Sequence, residues 1–406
     1  MLYDYFTEKL LNLQEVLIKN IEKIEATTYV YLEMPVKEHT CPNCGQKTKY
    51  VHDYRYRKIK DLPAFDQNII LVYRQRRYSC HNCKKRFAEE NSFVPKYYQM
   101  TRRLINKIFV ETEKMCSFSS IGNRLNISVS TVIRIFDIIS YSAPKELPEV
   151  IAIDEFKGNA GEEKYQAIIT DPKTGVVLDI LPDRKQNHLI KYLKQYSKEE
   201  RDKVKFFVSD MWKPYNELSE IFFKKSIYLV DKYHYVRQII WAFEKTRKRV
   251  QKKYSKDYRL MFKNSKRLLT KKKSKLREDQ KEQLEAILYV SDELRTAYYL
   301  KEEFYELLNC EDKQTAKKMM TDWIYAAQDS GISEYNKCSN TLINWQIGIL
   351  NTFEYPYSNG FTEGCNNQIK VLKRTGYGYR NFNRFRKRIL HIFSYRNRNN
   401  NEKEVA

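Results

Sequence analysis

The chain of 406 residues reads as an α/β sheet domain, interrupted by a large helical insertion and preceded by two small modules, one metal-binding and one all-α. Three observations predict this. Two Cys-x-x-Cys pairs stand near the start, a helix-turn-helix pattern follows, and beyond a proline-marked boundary short apolar runs alternate with helical periodicity. The length leaves room for two or three separate cores. A net charge of +23 and a pI near 9.4 ask for a polyanionic partner, and 32 Tyr and 20 Phe among the basic residues favour nucleic acid over a small acidic substrate. A well-solvated basic protein and one attracted to an anionic membrane surface are the alternatives. No apolar run approaches the roughly 18 to 20 residues of a membrane span. The start, MLYDYFTEKL, has no basic stretch ahead of an apolar core, so a cytoplasmic location is expected. Four of the eight cysteines form the two pairs and four are scattered, which fits thiols in a reducing compartment.

Residues 1–35 are expected to form a helix and a strand. Leu10, Leu13, Val16, Leu17 and Ile21 have helical spacing, and the strand-like TTYVYLEM follows. Residues 36–95 read as a zinc-ribbon-like module. Cys41 and Cys44, then Cys80 and Cys83, are two tight turns that each bring two thiolates to one tetrahedral Zn²⁺. The spacer YRYRKIKDLPAFDQNIILVYRQRRY reads as two strands and a turn that bring the pairs together. A redox dithiol would be a single motif at the start of a helix, so one structural Zn²⁺ is the reading. His39, His52 and His81 are taken as structural or DNA-facing, because four thiolates already complete the shell.

Residues 96–142 are read as a helix-turn-helix domain on SFSSIGNRLNISVSTVIRIF. Ile121 and Leu125 face the core of one helix, Asn126 and Ile127 make the turn, and Ser128 caps a second helix whose Val132 and Phe136 point inward. Ser130, Thr131 and Arg134 are left outward, where a recognition helix meets base edges and phosphates. A plain three-helix bundle is the rival reading. The tract APKELPEV then marks a boundary.

Residues 143–240 begin the α/β domain. Strands EVIAIDEF, KYQAIITD and VVLDIL, a helix near QNHLIKYLKQY, strand VKFFVSD, a helix from Trp212 to Phe223, strand SIYLV and a long helix follow in turn. That is the order of an RNase H-like sheet, 3-2-1-4-5, in which strands one and four are neighbours. Asp154 at the end of strand one and Asp210 at the end of strand four then emerge side by side. Two carboxylates so close repel unless a cation joins them, and two Mg²⁺ ions about 3.5 to 4 Å apart, with Mn²⁺ as a substitute, suit an in-line phosphoryl displacement. Glu155 is the rival first ligand, ranked second because strand alternation turns it to the other face.

A third acid is needed, and Glu363 in SNGFTEGCNNQIKVLKRTGYGYRNF is the candidate. On a helix from Gly360, Phe361, Cys365, Ile369 and Leu372 make an apolar stripe, with Glu363, Asn367, Lys370 and Arg374 opposite. Lys370, Lys373 and Arg374 are read as DNA contacts; a surface ion pair is the plain alternative for the glutamate. Asp210 and Glu363 lie 153 positions apart, so residues 241–351 are expected to be a helical insertion. Its stretch from Lys245 to Arg277 carries sixteen basic residues and the single acid Asp257, a pattern suited to clamping DNA. Residues 352–395 would return to the catalytic domain, and residues 396–406 would be a disordered tail.

The paired Cys-x-x-Cys, the helix-turn-helix, IAIDEF, FVSDMW, LVDKYHYVRQ and SNGFTEGCNNQIKVLKRTGYGYRNFNRFR together resemble the bacterial insertion-sequence transposases of the ISL-three family, over nearly the whole chain. That group is similar to the wider DDE enzymes, in which two aspartates and a glutamate on an RNase H-like fold hold two Mg²⁺ ions. The resemblance implies Asp154, Asp210 and Glu363 as the three acids. It also implies Asp231 and His234, in DKYH, as supporting residues. The expected activity is binding of an element's terminal inverted repeats, strand cleavage and strand transfer, by a homodimer that synapses the ends near the nucleoid. A structure-specific nuclease and a DNA-binding regulator are the rivals.

Overall fold

The segment expected to open the chain as a helix is a strand where it can be seen. The computed structural model describes residue 13 and residues 16–404, with side chains to residue 394; most of the expected helix lies outside these residues. β1 (Leu17–Ile24) pairs antiparallel with β2 (Thr27–Glu33) across a turn in which Glu25 has φ +50°. The spacing of Leu17, Ile18, Ile21 and Ile24 fits a helix equally well. A neighbouring strand that satisfies the backbone donors and acceptors decides against it, and a register shift between Ile18 and Asn20 absorbs the mismatch.

Two units can be described separately, Met1–Tyr141 with Arg374–Tyr377, and Ser142–Lys373 with Gly378–Ala406. In the first, β3 (His39–Thr40) and β4 (Lys47–Thr48) form a small ribbon. β5 (Val51–Lys60) and β6 (Asn68–Ser79) are the expected pair of strands, and β6 also carries β2 in parallel and the short β7 (Arg86–Ala88). Val30, Leu32, Ile59, Leu71 and Tyr73 bury one face of this sheet. Helices α1 (Arg102–Glu111), α2 (Phe118–Leu125) and α3 (Val129–Phe136) follow. Thr101, Ser117 and Ser128 cap them by accepting from the amides of Leu104, Ser120 and Thr131. Asn126 closes α2 in the left-handed region, and Gly122 lets the turn pack close, since a Cβ there would sit 2.8 Å from the Ile127 oxygen.

In the second unit β8 (Val150–Phe156), β9 (Gln166–Asp171) and β10 (Val176–Leu181) pair antiparallel in sequence. α4 (Gln186–Leu193) and α5 (Lys198–Arg201) lead to β11 (Phe206–Ser209), and α6 (Lys213–Phe222) leads to β12 (Ile227–Val230). β11 lies parallel between β8 and β12, so the sheet runs β10-β9-β8-β11-β12, in sequence terms third, second, first, fourth, fifth. Both faces are covered. Ile151, Ile153 and Phe207 pack with α4 and α6 residues, while Val150, Ala152, Val208 and Leu229 pack on the other side against Tyr355 and Tyr357.

The chain then becomes helical from α7 (Lys232–Val250) through α8 (Lys256–Asn264), α9 (Lys266–Thr270), α10 (Glu278–Tyr289), α11 (Asp292–Leu307), α12 (Lys313–Asp329), α13 (Ser333–Asn344) and α14 (Gln346–Asn351). These share a core that includes Phe243, Phe262, Tyr298, Phe304, Trp323 and Tyr335. α7 crosses the boundary expected at residue 241 without a break. α14 lies directly on β12: a Cβ at Gly348 would come 2.8 Å from Tyr228 and Val230. α15 (Gly360–Thr375) and α16 (Phe382–Glu404) close the chain, and the backbone of α16 continues through most of the segment expected to be disordered.

Candidate active site

The two cysteine pairs meet. Cys41 and Cys83 Sγ are 3.5 Å apart, as are Cys44 and Cys80, and the four sulfurs all lie within 4.8 Å of one another. Each pair sits in the same turn. Gly45 N–H donates to the Cys41 oxygen and Lys84 N–H to the Cys80 oxygen, both at 3.0 Å, with Gly45 and Lys84 at positive φ. The Lys85 amide, donating to the Cys83 sulfur, pulls its thiol down to about 6. Four thiols in this geometry form a structural zinc site. His39 and His81 pack on Tyr78 and Tyr50, at 4.5 and 4.8 Å between ring centroids.

In the second unit the register places the acids. Val208 pairs with Ala152 on one side and with Leu229 on the other. Two positions further along the same row come Asp154, Asp210 and Asp231, at adjacent places on three parallel strands spaced ~4.8 Å apart. Asp154 is not the last residue of its strand, as expected, but lies two residues before its end. Asp210 immediately follows β11, and its carbonyl accepts from Ser209 Oγ at 3.0 Å and Tyr228 OH at 2.9 Å. Glu363 arrives from the first turn of α15, where its N–H donates to the Asn359 oxygen at 2.8 Å. Asp154, Asp210, His234, Arg237, Glu363 and Asn366 line one cavity of about 550 Å³.

The three acids named from sequence do not form one tight cluster. Among the described residues, the groups with donor atoms all within 4.8 Å are the four cysteines and Asp231, His234 and Glu363. Glu363 thus approaches the pair expected only to support the site. Glu155 also lines the cavity, but its carboxylate is taken by Arg184, Nη1 to Oε1 2.6 Å. Arg184 in turn lies over Trp212, and Arg237 over Trp241 and Tyr233.

Burial pushes the Asp154 carboxyl up to about 7, with repulsion from Asp210, Glu155 and Asp231 adding to it. Burial likewise raises Asp210 and Asp231 to about 6, helped by Glu155 and Glu363 respectively. Oδ1 of Asp210 and Oδ2 of Asp231 are buried without a hydrogen-bond partner. Crowded carboxylates with orphaned oxygens fit a hard divalent cation, which would supply the missing partner and remove the repulsion.

Sequence reasoning missed Asn366. Its Nδ2 donates to Asp154 Oδ2 at 2.8 Å, while the Glu155 amide donates to Oδ1 at 2.7 Å, so the carboxylate is fixed at both ends. Asn366 falls on the buried side of α15 with Cys365 and Ile369, and a buried amide on an apolar stripe was the available signal. Arg237 was also missed; it stands one turn beyond His234 on α7. Lys370 lines the cavity, Lys373 Nζ donates to the Lys157 oxygen at 3.0 Å, and Arg374 is exposed. On α3, Ser130 and Arg134 are exposed and Thr131 half-buried, with Val132 and Phe136 fully buried, as the helix-turn-helix pattern predicts.

A thiolate zinc module, a helix-turn-helix and a basic-rimmed cavity of buried acids define a DNA-processing enzyme. Comparison with known proteins agrees at each part. Residues 151–389 match the family model of ISL3 transposases, described as "Transposase". Residues 37–83 match the zinc-finger of transposase IS204/IS1001/IS1096/IS1165, and residues 89–138 the helix-turn-helix domain of transposase family ISL3. The chain is 26% identical over 367 residues to the transposase for insertion sequence element IS1001 of Bordetella parapertussis, covering 87% of this chain and 88% of that protein. A shorter stretch of 107 residues is 32% identical to an ATP-dependent protease of Lactococcus lactis subsp. lactis, 26% of this chain and 33% of that one. The chain belongs to the ISL3 family of transposases. It is a DNA transposase that binds DNA, and among the described residues no helix is long and apolar enough to cross a membrane.

Proposed function

We propose that residues 143–240 and 352–395 make an RNase H-like catalytic domain of the DDE kind, that residues 241–351 are its helical insertion, and that the chain cuts and rejoins DNA at the ends of its own insertion sequence. The observation that carries this reading is the row of Asp154, Asp210 and Asp231 across three adjacent strands, with Glu363 lining the same cavity as Asp154 and Asp210. The sheet order, with its antiparallel half and its parallel half, supports the same reading. Residues 36–95 and 96–142 would bind the terminal repeats through Ser130, Thr131 and Arg134, and two protomers would bring the ends together in the bacterial cytoplasm, near the nucleoid.

Asp154, Asp210 and Glu363 would hold two Mg²⁺ ions, which when bound neutralise charge on the attacking and leaving oxygens. Asn366 and the Glu155 amide keep the Asp154 carboxylate from rotating, so its lone pairs are already aimed. Arg237 and Lys370 face the cavity as cations for the phosphates on either side of the scissile bond. Water opens the bond at the element end and leaves a 3′-hydroxyl. That hydroxyl then attacks a target phosphate, forming one P–O bond as another breaks, and no protein side chain becomes covalently attached.

The test is a labelled element-end duplex incubated with the protein, Mg²⁺ and a plasmid target. Joined products are expected. Cleavage without joining would make the chain a nuclease, end binding with neither would make it a regulator, and either result overturns the proposal.

The buried acids also give a pH dependence. Because their carboxyls are raised, the folded chain binds more protons than the unfolded one between about pH 4, the ordinary carboxylate range, and about pH 7. Stability contributed by the protonated carboxyls is therefore lost as pH rises through that window, and Mg²⁺ should restore it once they are ionised. The Mg²⁺-induced rise in Tm is expected to be larger at pH 8 than at pH 5. Equal rises at both would show that the ion binds elsewhere.

A further inference from the structure

Asp231, His234 and Glu363 have more in common than nearness to the cavity. Asp231 is the residue at which β12 passes into α7, and His234 follows three positions later, so both side chains lie on one side of the first turn. Asp231 Oδ2 and His234 Nε2 are 3.8 Å apart, and Glu363 brings a carboxylate oxygen into the same group from α15. The Asp231 carboxylate is only 3% exposed. Its Oδ1 accepts from the Asn359 amide at 3.2 Å, and its Oδ2 has no hydrogen-bond partner. An ionisable oxygen buried this deeply without a partner is costly, and a cation is the partner that two carboxylates and an imidazole together suit.

We propose that Asp231 and His234 form a further cation seat beside the Asp154–Asp210 pair, sharing Glu363 with it, with mixed nitrogen and oxygen donors that favour a first-row transition ion such as Mn²⁺ over Mg²⁺. Both oxygens of Asp154 already accept a hydrogen bond, from Asn366 and from the Glu155 amide, whereas Asp231 Oδ2 has no hydrogen-bond partner at all. Imidazole nitrogen discriminates against Mg²⁺, which takes oxygen donors and gives up water reluctantly. The seat has a built-in consequence. Arg237 Nη2 now lies 3.4 Å from His234 Nδ1, where the ring must accept. A cation on Nε2 requires the ring hydrogen on Nδ1, so loading breaks this contact with the guanidinium, which lies 4.5 Å from the Trp241 ring.

The inference rests on the site reading for its role in DNA cleavage, but not for the binding itself, which can be measured without DNA. Full-length zinc-loaded protein is titrated with Mn²⁺ and examined by pulsed electron paramagnetic resonance. Direct nitrogen coupling to Mn²⁺ is expected in the wild type and in Asp154→Asn, and its loss in His234→Gln with an unchanged circular dichroism spectrum. Asp231→Asn should weaken this Mn²⁺ binding roughly ten- to a hundred-fold. Absence of nitrogen coupling in the wild type, or its survival in His234→Gln, overturns the proposal. Loss of joining activity alone, with the coupling intact, would count against the catalytic reading and leave the seat standing.

Discussion

Asp154→Ala is expected to leave binding of element ends intact and to lower strand cleavage and joining by at least about a thousand-fold. A carboxylate that helps hold a catalytic cation supplies several kcal/mol at the transition state, and each ~1.4 kcal/mol is tenfold in rate. The two oxygens of Asp154 are held by Asn366 and by the Glu155 amide, so the carboxylate has one fixed orientation that alanine removes altogether. Glu155→Gln makes the comparison. Glu155 is already paired with Arg184, and losing it should cost much less than losing Asp154. Single-turnover assays on pre-cleaved ends separate joining from cleavage. Joined product persisting at the wild-type level in Asp154→Ala would sink the assignment.

The second large effect is on the zinc module. Cys80→Ser should release the metal and weaken end binding, because structural zinc contributes on the order of 10–16 kcal/mol of apparent binding free energy near neutral pH. Cys80 is buried, and its amide and oxygen close the second turn through Lys85 and Lys84. The β3–β4 ribbon and β7 hang from these turns and have little core of their own, whereas β2, β5 and β6 bury Leu32, Ile59 and Leu71. Loss of order should therefore be sharpest around the two cysteine turns. Zinc content per chain and amide exchange measure this; full retention of zinc in Cys80→Ser would overturn the four-thiolate site.

Local patterns carried the reading furthest where chemistry and geometry are set within a few residues. The Cys-x-x-Cys turns, the Ser128 cap, the inward Val132 and Phe136, and the sequence order of the strands in the α/β domain were all legible. Leu17 to Ile24 misled because an i, i+3, i+4 apolar spacing in a short, mostly exposed segment fits a helix and an edge strand alike; only the presence of β2 alongside separates them. Asp231 was visible in DKYH but ranked as support. Its standing in the same row as Asp154 and Asp210 comes from the pairing of β11 with β12, which no single stretch records.

By itself the amino-acid order determined which side chains would face inward on elements such as α3, where Val132 and Phe136 are buried, since that period is a property of the backbone. It also determined the family, through motifs spread over the chain. Tertiary structure alone decided which of those faces meet: that Asn366 would bond to Asp154 across more than two hundred residues, and that Glu363 would approach Asp231 and His234. The reason is that strand register and helix docking are settled by burial and hydrogen bonding summed over distant segments.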